Sequence, residues 1–208
     1  MLNNMKILIG SNNSSKQSEI SSIFNESALE PITPQNLSIN YDPPEVSGTH
    51  KEIAEQKALQ WSKITEYLVI STDGGLIIPS LGKNWDSTYT KRKAGEHVSD
   101  QDRAEHLLQT LKAFKGVDRA ASWVESVAIA QSNTLLMSEE VEGPQGEISE
   151  ILPVEEISPF WVNHIWYFPD KEKTYHHMSK AEKTELFDHW ITITRLVSDF
   201  FKYSYLEP

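Results

Sequence analysis

With 208 residues the chain can form one large domain or two lobes that share a cleft. Its net charge of −11 is spread along the sequence, which disfavours a nucleic-acid polymer as partner but leaves a small phosphorylated ligand open. There is no apolar run near the roughly 20 residues of a membrane-spanning helix, no cysteine for a disulfide or thiolate metal site, and no signal pattern in Met1–Lys6, so a cytoplasmic protein without membrane contact is expected.

Ile7-Leu8-Ile9 is a short apolar run that stops at Gly10, and the polar stretch Ser11–Ser15 leads into helical spacing at Ile20, Ile23 and Phe24. That order predicts strand, loop and helix. Residues 31–48 hold four of the ten prolines and read as an extended excursion. A helix is predicted over Lys51–Ile64. It is followed by a strand at Tyr67–Ile70 that enters a glycine-rich turn at Ser71–Gly75. Ser99–Asp102 has the form of a capping box, and Ala104, Leu107, Leu108, Leu111 and Phe114 keep helical spacing after it. Residues 120–141 predict two antiparallel strands joined near Ser132-Asn133. The apolar Ile165–Phe168 stops at Pro169. A second capping box at Ser179–Glu182 leads into a final helix with a buried stripe at Leu186, Trp190, Ile193 and Val197. The sum is a mixed α/β chain read as one domain over residues 1–208.

Two constellations carry chemistry. Gly10-Ser11-Asn12-Asn13-Ser14-Ser15-Lys16 departs from the ATPase P-loop, because Ser15 stands at the second glycine and Gln17 at the magnesium-binding hydroxyl. Even so, short polar side chains between a strand and a helix N-terminus favour an anion, and Lys16 adds a point charge. The plain reading of the same residues is a helix cap with a solvated lysine. The second constellation is Glu52 on the following helix together with Asp73, a carboxylate beside Gly74 at the predicted end of a strand, where open α/β sheets place ligand chemistry. Adjacent His176 and His177 would point to opposite faces of a strand and read as a surface pair.

Taken together, these segments resemble the inosine-triphosphate pyrophosphatase family. Ser11–Lys16 with Glu19 is similar to its Thr-Gly-Asn-x-x-Lys-x-x-Glu opening, and Glu52–Ala58 to its Glu-Asn-Ala-x-x-Lys-Ala helix. Thr72–Leu76 resembles Asp-Asp-Ser-Gly-Leu, and Tyr89–Arg92 resembles Tyr-Ser-Ala-Arg. Thr174-Tyr175, Met178 and Ala181–Lys183 resemble the stretch before the last helix. The resemblance implies an elongated mixed α/β fold with two lobes and a central cleft, in a homodimer. It also implies Mg²⁺-dependent hydrolysis of a nucleoside triphosphate to monophosphate and pyrophosphate. By position, Ser11, Asn13 and Lys16 would grip the phosphates, with Gly74 beside them. Glu52 and Asp73 would bind Mg²⁺, and Asp73 would orient or deprotonate the attacking water.

The departures cluster at the base. The family's Gly-Phe-Gly-Tyr-Asp-Pro corresponds to Pro159–His164, where Phe160 is kept and Trp161 adds bulk. Its Ser-His-Arg, which reads the purine's six-position oxygen, falls on Phe187-Asp188-His189. An ionised Asp188 cannot donate to a carbonyl oxygen but can accept from an exocyclic amine, whereas His189 can donate; Lys183 is retained. At the metal end, the first acid of the Asp-Asp pair is Thr72. The expectation is an enzyme with an altered base preference; the alternative is a nucleotide-binding or interaction protein that keeps the fold without the catalysis.

Overall fold

The computed structural model describes residues 5–25, 27, 29–44, 47–157 and 159–205. Residues 1–4, read above for a signal pattern, and residues 45 and 46 of the proline-rich excursion lie outside them. Two compact units emerge: one comprises residues 1–74, 125–141 and 190–208, the other 75–124 and 142–189.

The first unit is built on β1 (Met5–Ile9), which pairs in parallel with β2 (Leu29–Ile32) and with β3 (Leu68–Ile77). Helix α1 (Ser14–Ser22) and helix α2 (His50–Ser62) supply the connections a parallel arrangement requires. Both faces of β1 and β3 are covered: Ile7, Ile9 and Ile70 pack with Ile20, Val127 and Ile193, while Leu8 and Val69 pack with Trp61 and Ile32. Two-sided burial is why these strands read as unbroken apolar runs rather than alternating ones. Pro31, expected in an excursion, lies within β2 opposite Ile7. β2 is an edge strand, where a missing N–H is tolerated.

β3 departs from the expected strand-then-turn. It continues through Ser71-Thr72-Asp73-Gly74-Gly75 to Ile77, so Asp73 lies inside a strand rather than at its end. Leu76 on its far side is fully buried, and its N–H donates to Thr90 Oγ1 at 2.9 Å. Tertiary burial thus overrides the turn preference of Asp-Gly. The hairpin β4 (Ala120–Gln131) and β5 (Thr134–Glu142) is as expected, and Ser132 and Asn133 both take positive φ, the geometry that suits a two-residue hairpin turn.

In the second unit, helix α3 (Asp100–Thr110) begins at the Ser99 capping box. The short strands β6 (Gly146–Ile148), β7 (Trp166–Phe168) and β8 (Lys173–Thr174) are antiparallel, and Ala120 and Ala121 of β4 pair with β6. Between β6 and β7 runs α4 (Trp161–Ile165), so Ile165 is helical rather than part of the strand it seemed to open. The core gathers Leu76, Leu107, Leu111, Trp161, Ile165 and Trp166. The last helical stretch is two helices, α5 (Lys180–Glu185) and α6 (His189–Asp199). Phe187 takes φ +53 between them, and its N–H and that of Asp188 return to the Thr184 and Lys183 carbonyls, closing α5. The strands run in the order β2-β1-β3-β4-β6-β7-β8, with β5 on β4. Among the described residues no helix is long and apolar enough to cross a membrane.

Gly10 shows how closely β1 and β3 approach. Its N–H donates to the Ile70 carbonyl at 2.8 Å, and a Cβ there would meet Ser71 Oγ at 2.3 Å and Trp61 Cδ1 at 2.9 Å. Gly10→Ala is expected to destabilise the fold by about 1–3 kcal/mol, read as a lowered urea midpoint. An unchanged midpoint would mean that Ser71 and Trp61 move aside without cost.

Candidate active site

In the first unit, the loop after β1 is closed on itself. Asn13 caps α1, its Oδ1 accepting from Ser15 N at 3.0 Å and Lys16 N at 3.4 Å, and Ser11 Oγ accepts from Asn13 N at 3.2 Å. The cap places Lys16 in the first turn of α1, its side chain 20% exposed and directed to neighbouring strands. Lys16 Nζ lies 3.1 Å from Glu125 Oε1 on β4 and 3.4 Å from Thr72 Oγ1 on β3. Burial alone would lower its pKa; the negative charges of Glu125 and Asp73 outweigh that and hold it above the ordinary lysine value.

Asp73 is the centre of this group. Its side chain is 14% exposed. Lys57 Nζ lies 2.5 Å from Oδ1 and His50 Nδ1 lies 2.7 Å from Oδ2. Both partners come from α2, where the seven-residue spacing of His50 and Lys57 returns them to one face. Burial pushes the Asp73 carboxyl up, but the His50 hydrogen bond and the charges of Lys16 and Lys57 prevail and bring it to about 2. An ionised aspartate with one donor on each oxygen retains a second lone pair on each. Gly74 follows, half-buried within the same strand.

Glu52 behaves differently. It is exposed, and Oε2 accepts from Thr49 N at 2.8 Å and from Thr49 Oγ1 at 3.1 Å, completing the capping box of α2. The backbone and hydroxyl donors of Thr49 hold its pKa below the usual glutamate value. The structure therefore gathers Lys16 and Asp73 with Ser11 and Asn13 on the adjoining loop, while Glu52 serves the helix end. Among the described residues no group of three or more acidic or histidine side chains is arranged to hold a metal ion. Mg²⁺ needs fewer, since one or two carboxylates with substrate phosphates suffice, and Asp73 supplies oxygens of that kind.

His50, Lys57 and Glu125 are the residues that sequence reasoning missed. Lys57 lies within the Glu52–Ala58 motif. The seven-residue spacing of His50 and Lys57 was a readable signal, whereas nothing local connects Glu125 to Lys16 across 109 residues.

In the second unit, Lys183, Asp188 and His189 gather around Tyr175. The Tyr175 hydroxyl donates to Asp188 Oδ2, Lys183 Nζ sits 3.9 Å above the Tyr175 ring, and His189 Nδ1 lies 3.5 Å from Asp188 Oδ2. Asp188 is 2% and His189 3% exposed, so both are buried. Phe160, half-buried, takes φ +61 at the start of α4, and Trp161 is packed into the core. His176 and His177 occupy a 3-10 turn rather than a strand; His176 stacks 3.9 Å from buried His164.

The sequence pattern of the Ham1 family matches residues 7–196. This chain belongs to the Ham1 family. It is 29% identical over 182 residues to a protein of Leptospira interrogans named dITP/XTP pyrophosphatase, covering 87% of this chain and 89% of that one. A protein of the same name from Clostridium perfringens is 28% identical over 188 residues, covering 87% and 90%. Among solved structures, the Staphylococcus aureus Ham1 protein superposes with a TM-score of 0.74 at 28% identity, covering 95% of this chain and 98% of that one. The motif resemblance and the mixed α/β reading therefore agree with the family and its fold.

Held at about 2 instead of the ordinary 3.8, Asp73 contributes on the order of 2 kcal/mol to folding at neutral pH. Because the folded value lies below the unfolded one, this contribution is complete above about pH 5 and is lost as pH falls toward 2. Urea unfolding at successively lower pH should show a shallower acid loss for Asp73→Asn than for wild type. Parallel profiles would show that Asp73 is not held in this way.

Proposed function

We propose that this Ham1-family chain hydrolyses a nucleoside triphosphate to a monophosphate and pyrophosphate with Mg²⁺. The observation that carries the reading is the buried group in which Lys16, from the loop and helix after β1, lies within electrostatic reach of ionised Asp73 on β3. The relatives named dITP/XTP pyrophosphatase support the same reaction class.

The residues have separable tasks. Lys16, charged at all physiological pH, binds phosphate oxygens as a point charge. Ser11 donates its hydroxyl, and Asn13, whose Oδ1 caps α1, keeps its amide N–H groups for the same anion. Gly74 leaves room beside Asp73 for close approach. Asp73 would hold Mg²⁺, and Glu52 would join it only by leaving the Thr49 cap. When bound, Mg²⁺ neutralises charge on the phosphate oxygens and so favours attack at phosphorus. A carboxylate at about 2 is a weak base near neutral pH, so Asp73 orients the attacking water by accepting its hydrogen bond rather than removing its proton outright.

The base preference is proposed to differ from that of a site selective for six-oxo purines. Position 187 carries no donor, and Asp188 and His189 are enclosed around Tyr175. A site that lacks a dedicated hydrogen bond discriminates by roughly 10–200-fold, whereas one built to make it reaches about 10⁴. Inosine and adenosine triphosphates should therefore differ in kcat/KM by less than about 200-fold, a reading that a 10⁴-fold preference would refute.

Pyrophosphate release from a nucleotide panel with Mg²⁺ tests the activity itself. Lys16→Ala and Asp73→Asn should each lower kcat/KM by about 10²–10³. Thermal stabilisation by nucleotide without any turnover would instead favour a binding protein that has kept the fold.

A further inference from the structure

Thr72 stands where the family motif carries the first acid of an Asp-Asp pair, so this chain lacks one negative charge beside Asp73. The fold returns a carboxylate to that place from a different strand. Glu125 on β4 is 1% exposed, and the Lys16 ammonium it pairs with, at 3.1 Å, is the same one that lies 3.4 Å from Thr72 Oγ1. A single cation thus touches both the position where the acid is missing and an acid supplied from elsewhere. Burying a carboxylate on an interior strand is unfavourable unless it is paired. Glu125 precedes a stretch, Val127–Ala130, that is wholly apolar and buried, so packing does not account for a charged residue there.

We propose that Glu125 is a positioning residue that replaces the carboxylate absent from position 72 and holds the Lys16 ammonium away from Asp73; the inference rests on the roles proposed above for Lys16 and Asp73. Asp73 already accepts from His50 and Lys57. A third donor from Lys16 would occupy a lone pair needed for the metal or the water. Lysine is a mobile point charge on a four-carbon stem, and with no second anion it would close onto the nearest one. With Glu125 present the Lys16 ammonium has a paired carboxylate at 3.1 Å other than Asp73, and the lone pairs of Asp73 stay available.

The test moves the charge back. With full-length protein, inosine triphosphate and Mg²⁺, Glu125→Gln should lower kcat about tenfold or more with a smaller change in KM. Adding Thr72→Asp in that background should restore most of it. The ¹H–¹⁵N resonance of the Lys16 ammonium gives a readout independent of turnover. It should be sharp in wild type, broadened in Glu125→Gln and recovered in the double variant. If Glu125→Gln keeps both kcat and the resonance while Asp73→Asn is inactive, the inference is wrong and the site reading stands. Loss in Glu125→Gln with no recovery by Thr72→Asp would make Glu125 a structural residue only. If Lys16→Ala and Asp73→Asn cost nothing, both the site reading and the inference fall. Should no triphosphate be turned over, persistence of the resonance in Glu125→Gln overturns the inference by itself.

Discussion

An ionised carboxylate enclosed within a central strand constrains everything around it. Asp73 can remain charged there only because His50 and Lys57 reach it from one face of α2 and Lys16 contributes its field from α1. Those three residues sit on two helices whose starts are fixed by side-chain caps, Asn13 for α1 and the Thr49–Glu52 box for α2. The caps therefore do more than end helices: they set the rotation that aims Lys16, His50 and Lys57 at β3. The same requirement explains why Glu52, attractive as a metal ligand in the sequence, is engaged elsewhere. A second enclosed carboxylate, Glu125, lies 3.1 Å from the Lys16 ammonium.

The second unit also encloses a carboxylate, among aromatic groups. Asp188 is enclosed, and a tyrosine hydroxyl and a histidine ring accompany it while Lys183 lies over the tyrosine face. The enclosure of Asp188 and His189 beside Tyr175 is the physical ground for the weak discrimination between bases proposed above. Phe187 carries a backbone conformation that glycine favours, closing α5 so that Asp188 and His189 can turn inward.

Local chemistry was legible wherever it was decided locally. The apolar runs at Ile7–Ile9 and Tyr67–Ile70, the capping boxes at Ser99 and Ser179, and the hairpin turn at Ser132-Asn133 all follow from residue spacing, and the structure bears them out. Failures occurred where burial competes with propensity. Asp73-Gly74-Gly75 reads as a turn but lies in a strand that continues into fully buried Leu76. Pro31 reads as irregular but sits in an edge strand that needs no donor from it. The short strands β6 and β8 have no periodicity to read, since β6 is held by pairing with β4 and β7 and β8 by pairing with β7.

The sequence by itself determined the family and the mixed α/β class, and it offered Lys16 and Asp73 among its candidates, because each is written in contiguous motifs with their own caps and glycines. Only the tertiary structure decided which partners complete that pair. His50, Lys57 and Glu125 act on it through space, and a long-range contact between charged groups leaves no mark on the neighbouring sequence. It likewise decided that Glu52 caps a helix and that Asp188 faces inward. An exposed and an enclosed carboxylate are the same letter until burial and hydrogen-bond partners tell them apart.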